Sequence, residues 1–175
     1  AMGTSGGVER GTVEIANAVV QAGGRAIVVS SGGPRTHELK RVKAEHVTMP
    51  VESKNPFIMY RNIGRLTKLI VAENVDVVHA RSRAPAWSAY YAAKRTGRPF
   101  ITTFHGTYSH GNMFKRIYNS VMTKGVRVIA ISNFIAGHIR RHYGVPRDRI
   151  RVIHRGVDLT RFSAPTVTAQ RVLAL

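Results

Sequence analysis

Hydrophobic positions along the chain alternate between two spacings. From about Val8 a helix is predicted, with Val13, Ala16, Val19 and Val20 on one face, until the Gly23–Gly24 pair stops it. RAIVVSS (25–31) follows as a short continuous apolar run of buried-strand type. GGPRTHELKRVKAEH (32–46) is polar and turn-rich and reads as loop, leading to a short edge strand at Val47–Met49 that Pro50 ends. Asn55 and Pro56 then open a helix as N-cap and first-turn proline, carrying Met59, Ile63, Leu66 and Ile70 at helical spacing.

The same alternation runs on to the other end. DVVHA (76–80) predicts a buried strand, and a helix from about Ala84 to Arg95 is terminated by Thr96, Gly97 and Pro99. Phe100–Phe104 predicts a strand, Phe114, Ile117, Tyr118, Val121 and Met122 fall on one helical face, and RVIAIS (127–132) predicts another strand. Ser132 or Asn133 caps a helix ending near Gly144, with Pro146 beyond it, and RIRVIHRGV (149–157) supplies the last strand. Parallel neighbours need crossover connections, so strands alternating with helices predict an α/β, doubly wound, mostly parallel Rossmann-like sheet. Residues 1–160 are expected to form this domain, with 161–175 beginning a linker. The helix at GGVERG has no strand before it, only AMGTS, so the first strand of the unit is expected to be missing.

Charge changes this picture more than composition does. Lys and Arg number 27 against 9 Asp and Glu, a net charge of +18, and such a field attracts phosphate-rich partners: nucleotides, nucleic acid or an anionic membrane surface. No cysteine is present, which removes disulfides and thiolate metal sites and fits a reducing compartment. No apolar run approaches the ~20 residues of a membrane span, and the cytoplasm is the expected location, with a peripheral place on the inner face of the membrane consistent with the charge.

In a doubly wound sheet, ligands bind outside the carboxyl ends of the strands. The segments there are GGVERG (6–11), HARS (79–82), TFHGTY (103–108), ISN (131–133) and HRGVD (154–158), all polar and rich in His. Gly6 and Gly7 before a helix would let backbone N–H groups approach an anionic oxygen at the positive helix end, beside Glu9. Arg81, with Ser82, suits an anionic substrate, although a solvated arginine explains it equally. His105 followed by Gly106 combines a hydrogen-bonding imidazole with room for close approach, while Ser132 and Asn133 are explained as N-caps whether or not they also bind. Arg155 and Gly156 complete the set. No DxD, HExxH, GxxxxGK[ST] or GxSxG sequence occurs, so neither a divalent metal site nor another cofactor is expected.

Together GGVERGTVEIANAVVQAGG, DVVHARSRAPAW, GRPFITTFHGTY, RVIAISNFIAGHI and RIRVIHRGVDLTRF resemble the amino-terminal domain of the bacterial GT-B glycosyltransferases of family four, from Gly6 to Phe162. General likeness is greatest to those that build lipopolysaccharide core or other surface polysaccharides. The resemblance implies two facing Rossmann-like domains, the first holding a lipid-linked or saccharide acceptor and the second a nucleotide-sugar, with transfer in the cleft. It also implies retention of anomeric configuration without a metal, Gly6 and Gly7 beside the donor diphosphate, and His105 as the catalytic contact to the transferred sugar. The Arg of HRGVD stands where many relatives have Asn. The family's donor-binding Arg/Lys pair and spaced Glu motif belong to the second domain and are absent here, so this chain by itself is expected to be inactive. A basic α/β module that binds nucleic acid or an anionic membrane is the alternative, but helix-turn-helix and RNA-recognition signatures are lacking, and nucleic acid is not the expected partner.

Overall fold

The computed structural model describes residues 2–3, 6–108 and 112–156. The last strand is shorter than the expected 149–157, ending at Val152 with residues 153–156 outside any strand, and Asp158 and the 161–175 linker lie outside the described part. In chain order the elements are α1 (Gly7–Gln21), β1 (Ile27–Ser30), α2 (Thr36–Arg41), β2 (Glu45–Thr48), α3 (Pro56–Ala72) and β3 (Val78–Ala80). They continue with α4 (Arg83–Thr96), β4 (Phe100–Phe104), α5 (Met113–Ser120), β5 (Arg127–Ala130), α6 (Asn133–Tyr143) and β6 (Ile150–Val152).

Every strand pairing is parallel. β3, β4, β5 and β6 form one sheet in sequence order, with Val78 opposite Phe100, Ile101 opposite Arg127 and Val128 opposite Ile150. β1 and β2 form a second, two-stranded sheet with Ile27 opposite Glu45. No ladder joins the two sheets among the described residues. They meet instead through side chains: Val29 of β1 packs on the large core around β3–β6, while its neighbour Val28 packs on the small core of Met2, Val13, Ala16, Leu39 and Ala44. The period-two alternation of a strand sends these two valines to opposite faces.

The large core is built from β-branched and aromatic strand residues against alanine-rich α4. Ala86, Ala92 and Ala93 are almost fully buried, and small side chains there let the helix lie close to Phe100, Phe104 and Val128. Phe104 is fully buried, its ring 4.9 Å from that of Tyr108 and 5.9 Å from that of Tyr143. Helices α4 and α6 stop at Gly97 and Gly144, whose φ of 66° and 64° lies in the left-handed region that glycine enters without strain.

Two local expectations change. The polar stretch 32–46 contains α2, because Arg35 pairs with Glu38 at 2.8 Å and the fully buried Leu39 anchors the turn on the small core. With one buried apolar side chain, this helix is too short to show a period. Helix α5 forms where expected but not with the expected face inward: Val121 and Met122 are buried, in a 3-10 turn after the helix, whereas Phe114 and Ile117 point to solvent.

Phe104→Ala removes the largest fully buried side chain and the ring contacts beside the last residues of β4. The expected loss is about 3–5 kcal/mol, as for other aromatic truncations in packed cores, read as a fall in the urea midpoint. A loss under ~1 kcal/mol would mean that this core is not packed as described.

Candidate anion and sugar site at the carboxyl edge

The parallel order delivers the segments after β3, β4, β5 and β6 to one edge, and two of these send an arginine onto the first turns of α1. Arg81, just beyond β3, donates through Nε to Thr12 Oγ1 at 3.1 Å. Arg155, beyond β6, donates to the carbonyl of Gly7. Both guanidinium groups lie against one face of α1, where glycine leaves space. A Cβ at Gly7 would stand 2.8 Å from Arg155 Nη1, and one at Gly11 would stand 2.8 Å from Arg81 Nη2 and 3.3 Å from Arg155 Nη2. Gly6 is the N-cap of α1 with extended backbone, and the Glu9 carboxylate folds back over it, leaving no room for a Cβ at Gly6.

His79 and His105 complete the cluster. His79 Nε2 is 2.8 Å from Thr103 Oγ1, a pairing across β3 and β4 that fixes the ring. Burial, and after it the charge of Arg81, pushes the His79 pKa down to about 4. His105 follows β4, and burial followed by Arg81, Arg155 and His79 pushes it down to about 4 as well. Both ring nitrogens of His105 and Nη1 of Arg81 are inaccessible to solvent and have no hydrogen-bond partner. Arg81 is itself lowered to about 10, by burial first and then by Arg155, with Glu14 opposing. At neutral pH the site thus holds two charged guanidiniums and two neutral imidazoles. Such an arrangement attracts an anion, and the neutral His105 ring carries one donor and one acceptor nitrogen that no protein group satisfies.

Of the residues singled out in the sequence, Gly6, Gly7, Glu9, Arg81, His105 and Arg155 come together here. Ser132 is the N-cap of α6 and its Oγ accepts from the Ile135 N–H at 3.2 Å, while Asn133 is the exposed first residue of that helix. Ser82 caps α4 by position without a side-chain cap bond. Gly106 and Gly156 have open space around their α-carbons. Gly11, Thr12 and His79 were not among the expected site residues. The signal for Gly11 was present, since it lies one helical turn after Gly7 in GGVERGT. Arg83 and Tyr108 flank the site: the Arg83 guanidinium lies 4.6 Å from the Tyr108 ring centre and donates to Asn119 Oδ1 at 3.1 Å.

The two depressed imidazoles couple folding to pH. On acidification the unfolded chain takes up protons first, near the ordinary value of 6.5, while the folded chain resists until about 4. Their contribution to stability is therefore complete above about pH 6.5 and is lost progressively as pH falls toward 4. Urea midpoints measured from neutral pH down through this window are expected to fall, and His79→Gln, which keeps a polar partner for Thr103, is expected to flatten the slope. An unchanged slope would show that His79 is not held neutral.

Comparison with known proteins agrees with this architecture. The family model described as Glycosyltransferase Family 4 matches residues 5–161. A crystal structure of a glycosyltransferase from Rickettsia africae ESF-5 superposes with a TM-score of 0.83 at 44% identity, covering 97% of this chain and 45% of that one. Anabaena Alr3699/HepE in complex with UDP and glucose gives 0.73 at 17% identity, covering 91% of this chain and 44% of that one. The lipopolysaccharide outer core galactosyltransferase WaaB in its apo form gives 0.66 at 15% identity, with 89% and 43% covered. No curated protein sequence matches the chain. The chain thus spans less than half the length of these structures, and its Rossmann-like fold is that of one half of a GT-B enzyme. With the family model covering nearly all of the described residues, the chain belongs to glycosyltransferase family 4.

Proposed function

We propose that this domain is the acceptor-side half of a retaining glycosyltransferase that moves a sugar from a nucleotide-sugar to a saccharide or lipid-linked acceptor in surface-polysaccharide or lipopolysaccharide synthesis. The observation that carries the reading is the convergence of Arg81 and Arg155 on the glycine face of α1, next to a neutral His105. A nucleoside diphosphate presents the negative charge that two guanidiniums and a helix amino end complement. Hydroxyls of the attached sugar are the neutral partners that suit an uncharged imidazole with no protein hydrogen bond.

In this reading Gly7 and Gly11 keep side chains out of the space that the diphosphate and the two arginines share, and the arginines balance charge that develops on the leaving diphosphate. Positive charge supplied in this way makes a divalent ion unnecessary. His105 orients the transferred sugar by hydrogen bonding and, being neutral, can relay a hydrogen bond without adding a charge at the reacting carbon. Complexes of HepE carry UDP, UDP with glucose and UDP-glucose, which supports a nucleotide-sugar as the ligand class. The lipopolysaccharide role of WaaB supports the polysaccharide assignment only through a shared fold. A second domain, by analogy with the uncovered half of these structures, supplies the remaining donor contacts, and a strand preceding α1 fits the separation of the β1–β2 pair from β3–β6.

Sugar transfer by this chain alone, with no second chain added, is expected to be absent, and its detection would overturn the division of labour. In the complete two-domain enzyme, His105→Ala is expected to lower kcat by roughly ten- to a thousandfold while leaving the thermal midpoint little changed. A purely structural His105 gives the opposite pattern, with a loss of about 1–3 kcal/mol in stability and near-normal turnover by the folded fraction. Measuring both quantities on one preparation separates the two.

A further inference from the structure

Because β6 runs parallel to β5, α6 carries the chain back across the sheet, and β6 starts at the edge opposite to Arg81 and His105. With 11 residues, α6 spans about 16 Å at 1.5 Å per residue, from its cap Ser132 at one edge to Gly144 at the other. Around Gly144 lies a cleft of about 520 Å³, lined by Arg140, Arg141 and Arg147 together with Gly137, Gly144 and Pro146. Among the described residues, no acidic or aromatic side chain lines it.

These three arginines differ from their neighbours. Arg149 donates to the carbonyls of Thr123 and Gly125, at 2.8 and 2.6 Å, and Arg151 donates to those of Asp148 and Ile150. Among the described residues, no hydrogen bond or ion pair engages the guanidiniums of Arg140, Arg141 and Arg147. Residues 77–157 contain a single acid, Asp148, which does not line the cleft. The negative end of the α6 dipole accounts for cations at Arg140 and Arg141. It does not account for Arg147, which comes from beyond the helix, after Pro146. Packing does not account for Gly137 either. A Cβ there would stand 3.6 Å from Arg141 Nη1, an ordinary contact with a flexible side chain, yet glycine inside a helix weakens it. What it does is leave the helix backbone bare on the side that lines the cleft.

We propose that this cleft binds a compact polyphosphate, two or three linked phosphates that are either free or the phosphate chain of a nucleotide. Guanidiniums pair with phosphate oxygens through two hydrogen bonds at once and stay charged at any physiological pH. Three of them around one space match more negative charge than a single phosphate carries. The volume is that of a small-molecule site. With no aromatic ring in its lining, the cleft has nothing to stack on a base or a sugar, so the linked phosphates themselves are the recognised group. Single-stranded nucleic acid would call for such stacking surfaces along a groove. The proposal stands apart from the function proposed above, since the cleft lies at the other edge and shares no residue with Arg81, His105 and Arg155.

Amide NMR spectra of the full chain test this at the site itself, because Gly137 and Gly144 report from the lining. As inorganic triphosphate is added at constant ionic strength, these two signals are expected to shift and to saturate. Adenosine triphosphate is expected to give the same response at a similar midpoint, and inorganic monophosphate a midpoint at least about tenfold higher. Arg140→Gln with Arg147→Gln is expected to raise the triphosphate midpoint at least about tenfold. Both side chains are exposed, so the thermal midpoint of that variant stays near the wild-type value. Gly137→Glu, which sets a carboxylate in the lining, gives the same loss with the arginines intact, and Arg155→Gln leaves the response unchanged. Full binding by the double variant, or loss of binding through Arg155→Gln, would overturn the proposal. So would shifts that sodium chloride reproduces, equal midpoints for monophosphate and triphosphate, or a response to the nucleotide without one to inorganic triphosphate. Binding of single-stranded oligonucleotides that tightens with their length and exceeds that of triphosphate would overturn it in favour of a nucleic-acid surface.

Discussion

Parallel pairing of β3, β4, β5 and β6 forces every connection to cross back over the sheet, so each strand ends at the same edge and the chain returns elsewhere. That edge brings Arg81, His105 and Arg155 together although whole helices separate them in sequence, and hydrogen bonds to Thr12 and to the Gly7 carbonyl hold the two arginines there against α1. Phe104 and Thr103, buried in β4, set the height at which His105 emerges. The cross-strand contact from His79 to Thr103 locks the neighbouring strand to the same level. The edge is thus positioned by core packing, and the polar residues on it inherit that rigidity.

The electrostatics follow from what the edge lacks. Two guanidiniums within mutual influence would ordinarily be separated or matched by carboxylates, yet Glu9 is turned onto Gly6 and Glu14 only partly offsets Arg81. Burial is the larger cause of the lowered pKa of both imidazoles and of Arg81, and the unmatched positive charge adds to it. Sites that concentrate like charge in this manner are poised for a ligand of the opposite sign, and the imbalance is tolerated because core packing sustains it.

Most of the architecture was legible because parallel strands and amphipathic helices write different periods into the sequence, and Gly97, Gly144 and Pro56 punctuate them at the ends. Helix α2 was not legible, since it rests on one buried leucine and a local ion pair rather than on a repeat. The inward face of α5 was misread for a related reason. Phe114, Ile117, Tyr118, Val121 and Met122 share helical spacing, but the helix gives way to a 3-10 turn at Val121 and only the later residues reach the core. At the edge, strand ends named His105, Arg81 and Arg155 in advance. Gly11 and Thr12 escaped because they lie inside a helix, where an ordinary reading assigns them to packing, and only the fold reveals which face of α1 receives the arginines.

Glu9, folded over Gly6, means that the amino end of α1 already has a negative companion tethered three residues away. A tethered group competes at an effective concentration on the order of millimolar. An anion drawn to that helix end therefore meets a carboxylate of its own sign, which has to swing aside before the N–H groups of the first turn are open to it.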